Sequence, residues 1–408
     1  MMRRRNAVLA LTMLCLPCAG WTQQAPEPAD LYRDALRLIA ADRTTDAIDT
    51  LTRLIENEPL HAGAWLDVAL LQCALGNAEE ARRLFGVIAA RFKPEAGIVA
   101  LIAEASKQGC QRPPQRSTAS LAIGRGIEQN VNQGASNPHY LLQGDGAVVD
   151  LPLLPEFLPR HDQYTQLVGS YRRDLSANGS VGFVQFQGRR NDQLRQYDSA
   201  ALFAGIDRSW RARLWTGSLT GLFGATMLGG AYYQRQTELQ ARITPPWSLP
   251  LDTQLSLLGS VARNQFRTLS NFNSNTVELR ALLSRAGAAH AASASLGLLD
   301  DRASAQRPGG SRHGWLANVR ANGRIGAAAT VEMAYTQQRW YSAQPYAPGL
   351  IGEVRAQATH VLRTTLTYQF DRDHSMLLEG RLVRNVENIS IFQYNNRLLQ
   401  LSWQWNGH

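Results

Sequence analysis

Hydrophobic and polar residues alternate along the last part of the chain, from Val361 to Trp405. Leu362 and Leu366 alternate with the polar residues Arg363 and Thr365. A period of two, with one apolar and one polar side, predicts a β-strand that lies between two different environments. Polar turn residues separate this segment from the next one with the same pattern.

The same alternation continues from Ser117 to the end of the chain and predicts fourteen strands. They are Leu121–Ile127, Tyr164–Tyr171, Val181–Gly188, Leu202–Arg208, Leu214–Phe223, Tyr232–Ile243, Gln254–Val261, Thr276–Ser284, Ala291–Leu299, Trp315–Ala321, Ala327–Tyr335, Val361–Phe370, Met376–Val383 and Leu398–Trp405. Segments of about ten residues with aromatic residues near their ends are typical of a transmembrane β-barrel. An even strand number places both ends of the barrel on the side of the preceding domain.

The connections between these strands differ in length and predict an orientation. Short turns are expected at Ser176–Gly179, Pro245–Pro250, Arg285–Ala288, Asn322–Gly326 and Asp371–Ser375, and long loops at Asn132–Asp162, Arg267–Asn275, Asp300–Arg312 and Arg339–Arg355. Short turns of such barrels face the periplasm and long loops face the exterior. The longest loop could fold inward as a plug or lie against lipid, and the sequence leaves both possibilities open.

Charged residues fall on the polar side of the predicted strands and would line a wet lumen. The candidates are Glu238, Glu278, Arg280, Glu332, Arg363, Glu379 and Arg381. They could form a structural ladder of salt bridges that keeps neighbouring strands in register, or they could line a translocation path or gate. The side with Val277, Leu279 and Val331 is apolar and fits lipid.

The region before Gln111 has a helical pattern that repeats with a period of 34 residues. The matched pairs are Leu31 with Trp65, Ala35 with Ala69, Ala47 with Ala81, Leu51 with Phe85, and Leu54 with Ile88. This is the tetratricopeptide period, in which paired helices stack on neighbouring pairs. Residues 94–107 would form the first helix of a third repeat, or a helix that caps the array.

The first helices of this array would present a mostly apolar groove. The candidate groove residues are Tyr32, Leu36, Ile39, Leu66 and Leu70. They could hold a peptide or a partner helix, or they could pack on the third helix or on the barrel.

Two cysteines, Cys73 and Cys110, follow the N-terminal segment. In an oxidising compartment they could form a disulfide that ties the end of the array to its second repeat. Cys73 could instead be a small buried residue in the middle of a helix. No histidine or further cysteine stands at the spacing of a metal site.

The beginning of the chain predicts secretion. Arg3 to Arg5 precede the apolar run Ala7–Leu16, which is too short to span a bilayer as a helix and has the order of a signal peptide. We therefore expect a signal peptide at 1–22, a periplasmic helical domain at 23–110, a linker at 111–116 and an outer-membrane barrel at 117–408. The fold class is an α + β multidomain protein in which a short TPR-like helical array precedes the transmembrane barrel.

The charge of the chain is positive, with a formal net charge of +9. Of its 42 basic residues only Lys93 and Lys107 are lysines. An arginine-rich surface could face the anionic head groups of outer-membrane lipid and lipopolysaccharide, or it could reflect genomic composition. No motif for nucleic acid or for a phosphate-binding loop occurs in the expected context.

Catalytic residues are not expected, and the sequence predicts no cofactor. The nearest approach to a hydrolytic set is His290 with Ser293 and Ser295. A nucleophile and its base must converge on one wall of a barrel. We expect Ser293 on the opposite face of the strand from His290 and Ser295, which argues against an enzyme.

The last strand carries Trp403 and Trp405 near the end of the chain. This aromatic-x-aromatic ending looks like the signal by which the barrel assembly machinery recognises a last strand. That machinery is therefore an expected partner.

Two short stretches carry a resemblance to a known family. The stretch 126–132 reads Gly-Ile-Glu-Gln-Asn-Val-Asn, and Glu387-Asn388-Ile389 precedes Tyr394, Arg397 and Trp403 in the last hairpin. Together with the array and the barrel, they resemble the surface lipoprotein assembly modifier family of Gram-negative outer membranes. The resemblance implies a fourteen-stranded barrel that translocates surface lipoproteins or related proteins.

Two alternative functions belong to other classes. The chain also looks like the tetratricopeptide-plus-barrel exporters of extracellular polysaccharides, in which the array docks synthesis machinery and the lumen passes sugar. A plain pore or a surface receptor is the other alternative. Neighbouring genes would discriminate, because a lipoprotein gene favours protein translocation and a glycosyltransferase gene favours polysaccharide export.

Overall fold

The computed structural model describes residues 28–40, 43–107, 110, 117–144, 147–176, 179–212, 214–247, 249–287 and 289–407. Helices precede strands, and the chain divides into two compact units between residues 113 and 114. The expected signal peptide and the expected linker at 111–116 lie outside the described residues.

The described residues of the first unit form five helices: α1 (Pro28–Ala40), α2 (Thr44–Asn57), α3 (Ala62–Ala74), α4 (Ala78–Phe92) and α5 (Ala96–Lys107). The helix pairs repeat at the period seen in the sequence, since α3 begins 34 residues after α1 and α4 begins 34 residues after α2. The matched residues form the core of this unit, because all of them are buried except Trp65, which is half-buried and packs against that core.

Local features explain where these helices begin and end. Gly76 has a φ of 78°, a conformation that glycine adopts without strain, and it makes the turn between α3 and α4. The His61 ring accepts a hydrogen bond from the Ala64 amide at 3.0 Å and caps the start of α3. A disulfide joins Cys73 to Cys110, with Cα atoms 4.4 Å apart. Among the described residues, no helix is long and apolar enough to cross a membrane.

The second unit is a closed antiparallel barrel of fourteen strands. The strands of this unit are β1 (Ser117–Glu128), β2 (His139–Gly144), β3 (Ala147–Pro152), β4 (Asp162–Asp174), β5 (Ser180–Asn191), β6 (Ser199–Ala212), β7 (Trp215–Leu228), β8 (Ala231–Thr244), β9 (Gln254–Phe266), β10 (Ser274–Ala286), β11 (His290–Ala303), β12 (Arg312–Ile325), β13 (Ala329–Ala347), β14 (Ile351–Gln369), β15 (His374–Glu387) and β16 (Tyr394–Gly407). Strands β2 and β3 pair with each other outside the barrel.

Each barrel strand pairs with its neighbours in sequence, and β1 closes the barrel by pairing with both β4 and β16. Closure leaves no free strand edge, so every strand has a hydrogen-bonding partner on both sides. We call the end at which β1 ends and β16 begins the loop end, and the opposite end the terminal end.

Each of the fourteen predicted strands corresponds to a barrel strand, but three predicted connections differ from the observed ones. The expected short turn Asn322–Gly326 lies almost wholly in β12, which ends at Ile325. The expected long loop Arg339–Arg355 is mostly strand, because β13 and β14 continue until only 348–350 remain between them. Pro345 within β13 sits at a shift in register, a place where a strand tolerates the missing N–H of proline. The expected short turn at Pro245–Pro250 belongs to a connection that runs from 245 to 253.

The longest connection, 129–161, is anchored at the loop end. It contains the β2–β3 hairpin and a 3-10 turn, Pro155–Phe157. The Ser136 amide donates to the Gln393 carbonyl at 2.8 Å, and the Val131 amide donates to the Arg160 carbonyl at 2.8 Å. These bonds fix the base of the loop beside the connection between β15 and β16.

Candidate functional site

The outer face of the barrel is apolar around its middle. Leu279 on β10 is 63% exposed and Met333 on β13 is 50% exposed. Such contiguous exposed apolar surface is unusual for a protein in water and matches the lipid-facing band of membrane barrels.

The inner face is polar, and its residues lie opposite one another on neighbouring strands. Glu278 lies opposite Ser260, and Ser260 lies opposite Gln240. All the candidate lumen charges lie on the inner face: Glu238, Glu278, Arg280, Glu332, Arg363, Glu379 and Arg381.

Some of these charges are paired. Glu332 lies between two arginines, with its Oε1 atom 3.1 Å from Arg363 and 3.7 Å from Arg320. On β10, the Arg280 Nε donates to Glu278 at 2.5 Å. The Glu332 contacts link three strands, β12 to β14, whereas the Arg280–Glu278 pair stays within β10. The described residues therefore form no continuous ladder of salt bridges.

Other lumen charges have no opposite charge at ion-pair distance within the described part of the chain. Glu238 accepts a hydrogen bond from the Gln236 amide at 3.0 Å, and Glu379 has no described arginine within 4.0 Å. Arg381 lies directly opposite Arg363, and its buried Nε has no hydrogen-bond partner. Like charges at opposed strand positions destabilise pairing, so the Arg363–Arg381 pair does not help to hold β14 and β15 in register.

A group of inner-face residues, which we call the seam cluster, joins the first and last strands at the loop end. Its members are Gly126, Glu128, Asn130, Tyr164, Arg189 and Asn396. The Tyr164 ring lies directly beside Gly126, because a Cβ atom added at Gly126 would come within 2.5 Å of the ring. The Arg189 guanidinium stacks 3.7 Å from the centre of that ring and pairs with Glu128.

Asn130 is buried in the seam cluster, with an exposed fraction of 1%. Its Nδ2 donates to the carbonyls of Gly134 at 2.9 Å and Asn395 at 3.0 Å, while its Oδ1 accepts from the Gly134 amide at 2.7 Å. Asn396 donates to Glu128 and accepts from the Asn130 amide. The stretch 126–132, which carried the family resemblance, therefore closes the barrel.

A cavity of about 270 Å³ opens at the loop end of the lumen, and we call it the mouth cavity. Its lining includes Arg307, Arg312, Arg355, Trp340, Phe266 and Phe272. Within the described ranges, no acidic side chain lines it. Its arginines come from separate strands and from a connection, 304–311, so no local pattern in the sequence marks this site.

The groove residues of the helical unit differ in exposure. Tyr32, Leu66 and Leu70 pack partly against the helical core, and Leu36 is 44% exposed. Ile39 is half-buried. The last helix adds further apolar surface, because Val99 is 50% exposed and Leu101 is 44% exposed.

One polar contact links the first helices of the two repeats. The Tyr32 hydroxyl donates to the Asp67 Oδ2 at 2.9 Å. Burial raises the pKa of the Asp67 carboxyl above its ordinary value, although the hydrogen bond from Tyr32 and the charge of His61 act in the opposite direction. Burial also raises the pKa of Tyr32, and Asp67 adds to that increase.

Trp403 and Trp405 lie on the outer face of β16, opposite Ile123 and Leu121 of β1. They are 39% and 37% exposed, and the Trp403 ring stacks on His374 with ring centres 5.5 Å apart. The two tryptophans therefore lie beside the closure of the barrel, at the terminal end.

The His290 and serine prediction was partly wrong. His290 is on the outer face of β11, while both Ser293 and Ser295 are on the inner face. An odd offset along a strand reverses the face, so Ser295 does not share a face with His290. Among the described residues, no group of His, Cys, Asp and Glu is placed to hold a metal ion.

No protein-family model matches the chain, and the comparison with curated proteins also finds no match. Solved structures of outer-membrane proteins are distantly similar. A loop L8 deletion mutant of OmpT from Vibrio cholerae is 6% identical, with a TM-score of 0.40 and coverage of 72% of this chain and 100% of that chain.

A FadL homologue from Pseudomonas aeruginosa is 9% identical, covering 71% of this chain and 90% of that chain at a TM-score of 0.39. A BenF-like porin from Pseudomonas fluorescens Pf-5 is 8% identical, covering 71% of this chain and 99% of that chain at a TM-score of 0.36. Because these identities and TM-scores are low, the similarities say nothing about substrate or mechanism.

Proposed function

We propose that the protein is an outer-membrane barrel that moves surface lipoproteins, or related secreted polypeptides, through its lumen. The observation that carries the proposal is a closed barrel with an apolar outer face and a polar inner face. On that inner face, Glu238, Glu379 and Arg381 have no opposite charge at ion-pair distance among the residues that the structure describes. A wet, charged lumen offers a polar chain a path that the lipid does not.

Outward-facing arginines support an orientation with the loop end outside the cell. They lie near the loop end of their strands at Arg125, Arg190, Arg235, Arg263, Arg302, Arg384 and Arg397. Near the terminal end, Arg173, Arg208 and Arg285 face outward. The phosphates of lipopolysaccharide in the outer leaflet are the anions that such an arginine-rich rim would meet.

The helical unit then lies in the periplasm, since β1 begins at the terminal end. Its exposed apolar residues, Leu36, Val99 and Leu101, offer a surface to an apolar segment of a client. The array would capture the client, and the barrel would pass it. The barrel closes on itself and therefore inserts without the array.

Surface display of a client tests the proposal. We expect deletion of residues 23–109 to leave a heat-modifiable barrel in the outer membrane and to reduce display of a lipoprotein encoded beside this gene. Protease shaving of intact cells measures the display. Undiminished display with the deleted protein would refute a client-handling array, and failure of the barrel to insert would refute the domain boundary.

A point substitution sharpens this test. Leu36→Glu places a charge on the proposed groove, whereas Leu60→Glu changes an equally apolar residue that is 73% exposed in the connection before α3. Neither residue belongs to the buried helical core. Display should fall with the first substitution alone, and equal loss with both would point to general destabilisation.

A further inference from the structure

The mouth cavity has the composition of a site for an organic anion. The Arg307 side chain is 7% exposed, and its guanidinium N–H groups donate hydrogen bonds to Asp301 and to the Gly310 carbonyl. It therefore acts as a fixed part of the wall. The groups that can bind a ligand belong to Arg312 and Arg355.

Arg312 is held at the cavity by one edge only. Its Nε donates to the Asp301 Oδ2 at 2.7 Å, and its guanidinium lies 4.3 Å from the centre of the Trp340 ring. Its two Nη groups make no hydrogen bond within the described ranges. A guanidinium fixed by stacking and by one carboxylate presents its remaining edge with little entropic cost.

Arg355 is fixed in the same manner from the other side. Its Nε and Nη2 donate to the two oxygens of Glu387 at 2.8 and 2.6 Å, and it stacks 4.4 Å from the Phe392 ring centre. Its Nη1 makes no hydrogen bond to a residue in the described segments. Both arginines are thus held rigidly while donors remain free at the cavity.

The charges of this region leave one positive charge unbalanced. Arg307, Arg312 and Arg355 supply three, and their partners Asp301 and Glu387 supply two, which leaves one. One excess charge matches a monoanion such as a carboxylate better than a dianion such as a phosphate monoester. The rings of Trp340, Phe266 and Phe272 give the cavity a surface for a planar apolar body. Uncharged polar residues also line it: Gln234, Asn264, Ser274, Ser342 and Gln357.

We propose that the mouth cavity binds a small aromatic monocarboxylate, with the carboxylate on the free edge of Arg312 and the ring against the aromatic lining. Bidentate pairing with a guanidinium suits a carboxylate geometrically. Binding at this site does not depend on the proposed translocation of proteins, because it needs only the folded barrel.

The test is calorimetric titration of the full-length protein in detergent with 2-naphthoate. We expect binding by the wild type, and no binding of 2-naphthalenemethanol, which has a similar shape but no charge. Arg312→Gln should weaken naphthoate binding roughly tenfold or more, because a charge-assisted pair is lost. The matched control is Arg320→Gln on the same strand, which lies outside the cavity lining and should bind normally.

A second variant guards against misfolding. Trp340→Leu keeps every charged group and removes the ring on which Arg312 stacks, so it should also weaken binding, while heat-modifiable migration reports a folded barrel. The proposal is overturned if the wild type does not bind naphthoate, if the uncharged analogue binds equally well, or if folded Arg312→Gln and Trp340→Leu proteins both bind like the wild type. None of these outcomes depends on lipoprotein display, so failure of this proposal and failure of the translocation proposal can be told apart.

Discussion

Individual side chains at the loop end hold the barrel closed, and Asn130 is the clearest case. It is 1% exposed and satisfies backbone groups on both sides of the seam between β1 and β16. Removing such a side chain leaves buried carbonyl and amide groups without partners, which costs about 1–3 kcal/mol.

Asn130→Ala should therefore lower the temperature at which the barrel loses its heat-modifiable migration on a gel. Asn395→Ala is the matched control, because Asn395 is exposed and contributes its backbone carbonyl, which the substitution keeps. Equal transition temperatures for Asn130→Ala and the wild type would show that the seam cluster does not stabilise the barrel.

The titration of Asp67 gives a second prediction at this scale. Its pKa is raised in the folded helical unit, chiefly by burial. Folding therefore disfavours the charged carboxylate and favours the protonated group. The stability that the protonated group provides is fully present below the unfolded pKa and is lost as pH rises through the raised folded pKa. Asp67→Asn, which does not titrate, should be more stable than the wild type at neutral pH.

The difference in stability between Asp67→Asn and the wild type should narrow as pH falls through the range in which carboxyl groups titrate. Thermal melting of the helical circular dichroism signal of full-length protein, recorded at several pH values, measures it. A stability difference that does not change with pH would show that Asp67 is not the titrating group.

Much of the fold could be predicted from the sequence at the scale of elements, because each element repeats a simple period. Alternation located the strands, and the 34-residue spacing located the helix pairs. Connections were harder, since Pro345 looks like a loop residue until the register shift beside it is visible. The mouth cavity was not predictable, because it combines Arg312 of β12 with Arg355 of β14 and a connecting loop.

The disulfide between α3 and the segment after α5 belongs to this scale too. It closes a separation of 37 residues, and α5 has no buried residue of its own. A cross-link of this kind contributes about 2–4 kcal/mol. Cys110→Ser should therefore make Leu101 of α5 and Leu71 near the end of α3 more sensitive to limited chymotrypsin digestion of the full-length protein.

Treatment of the wild type with a reductant should reproduce the effect, and it should add nothing to the Cys110→Ser variant. Digestion of the barrel should not change in either case, because Cys73 and Cys110 both lie in the helical unit. A reductant effect that persists in the variant would show that the bridge is not its cause.

At the scale of the whole molecule, the two ends of the barrel differ in their outward charge, and this difference predicts which lipid surrounds each end. Arg384 and Arg397 lie on neighbouring strands at the loop end and, among the described residues, have no acidic partner at ion-pair distance. Each arginine near an anionic membrane surface contributes about 1 kcal/mol. The double substitution Arg384→Gln with Arg397→Gln should therefore weaken lipopolysaccharide binding on the order of tenfold.

The matched control replaces Arg208 and Arg285, which face outward near the terminal end, with glutamine. Lipopolysaccharide that remains bound to the purified protein, measured by gel staining and by total phosphate, gives the comparison. Loss only with the loop-end pair would support an exterior loop end, because lipopolysaccharide occupies the outer leaflet. Loss only with the terminal-end pair would reverse the orientation, and with it the placement of the helical unit in the periplasm.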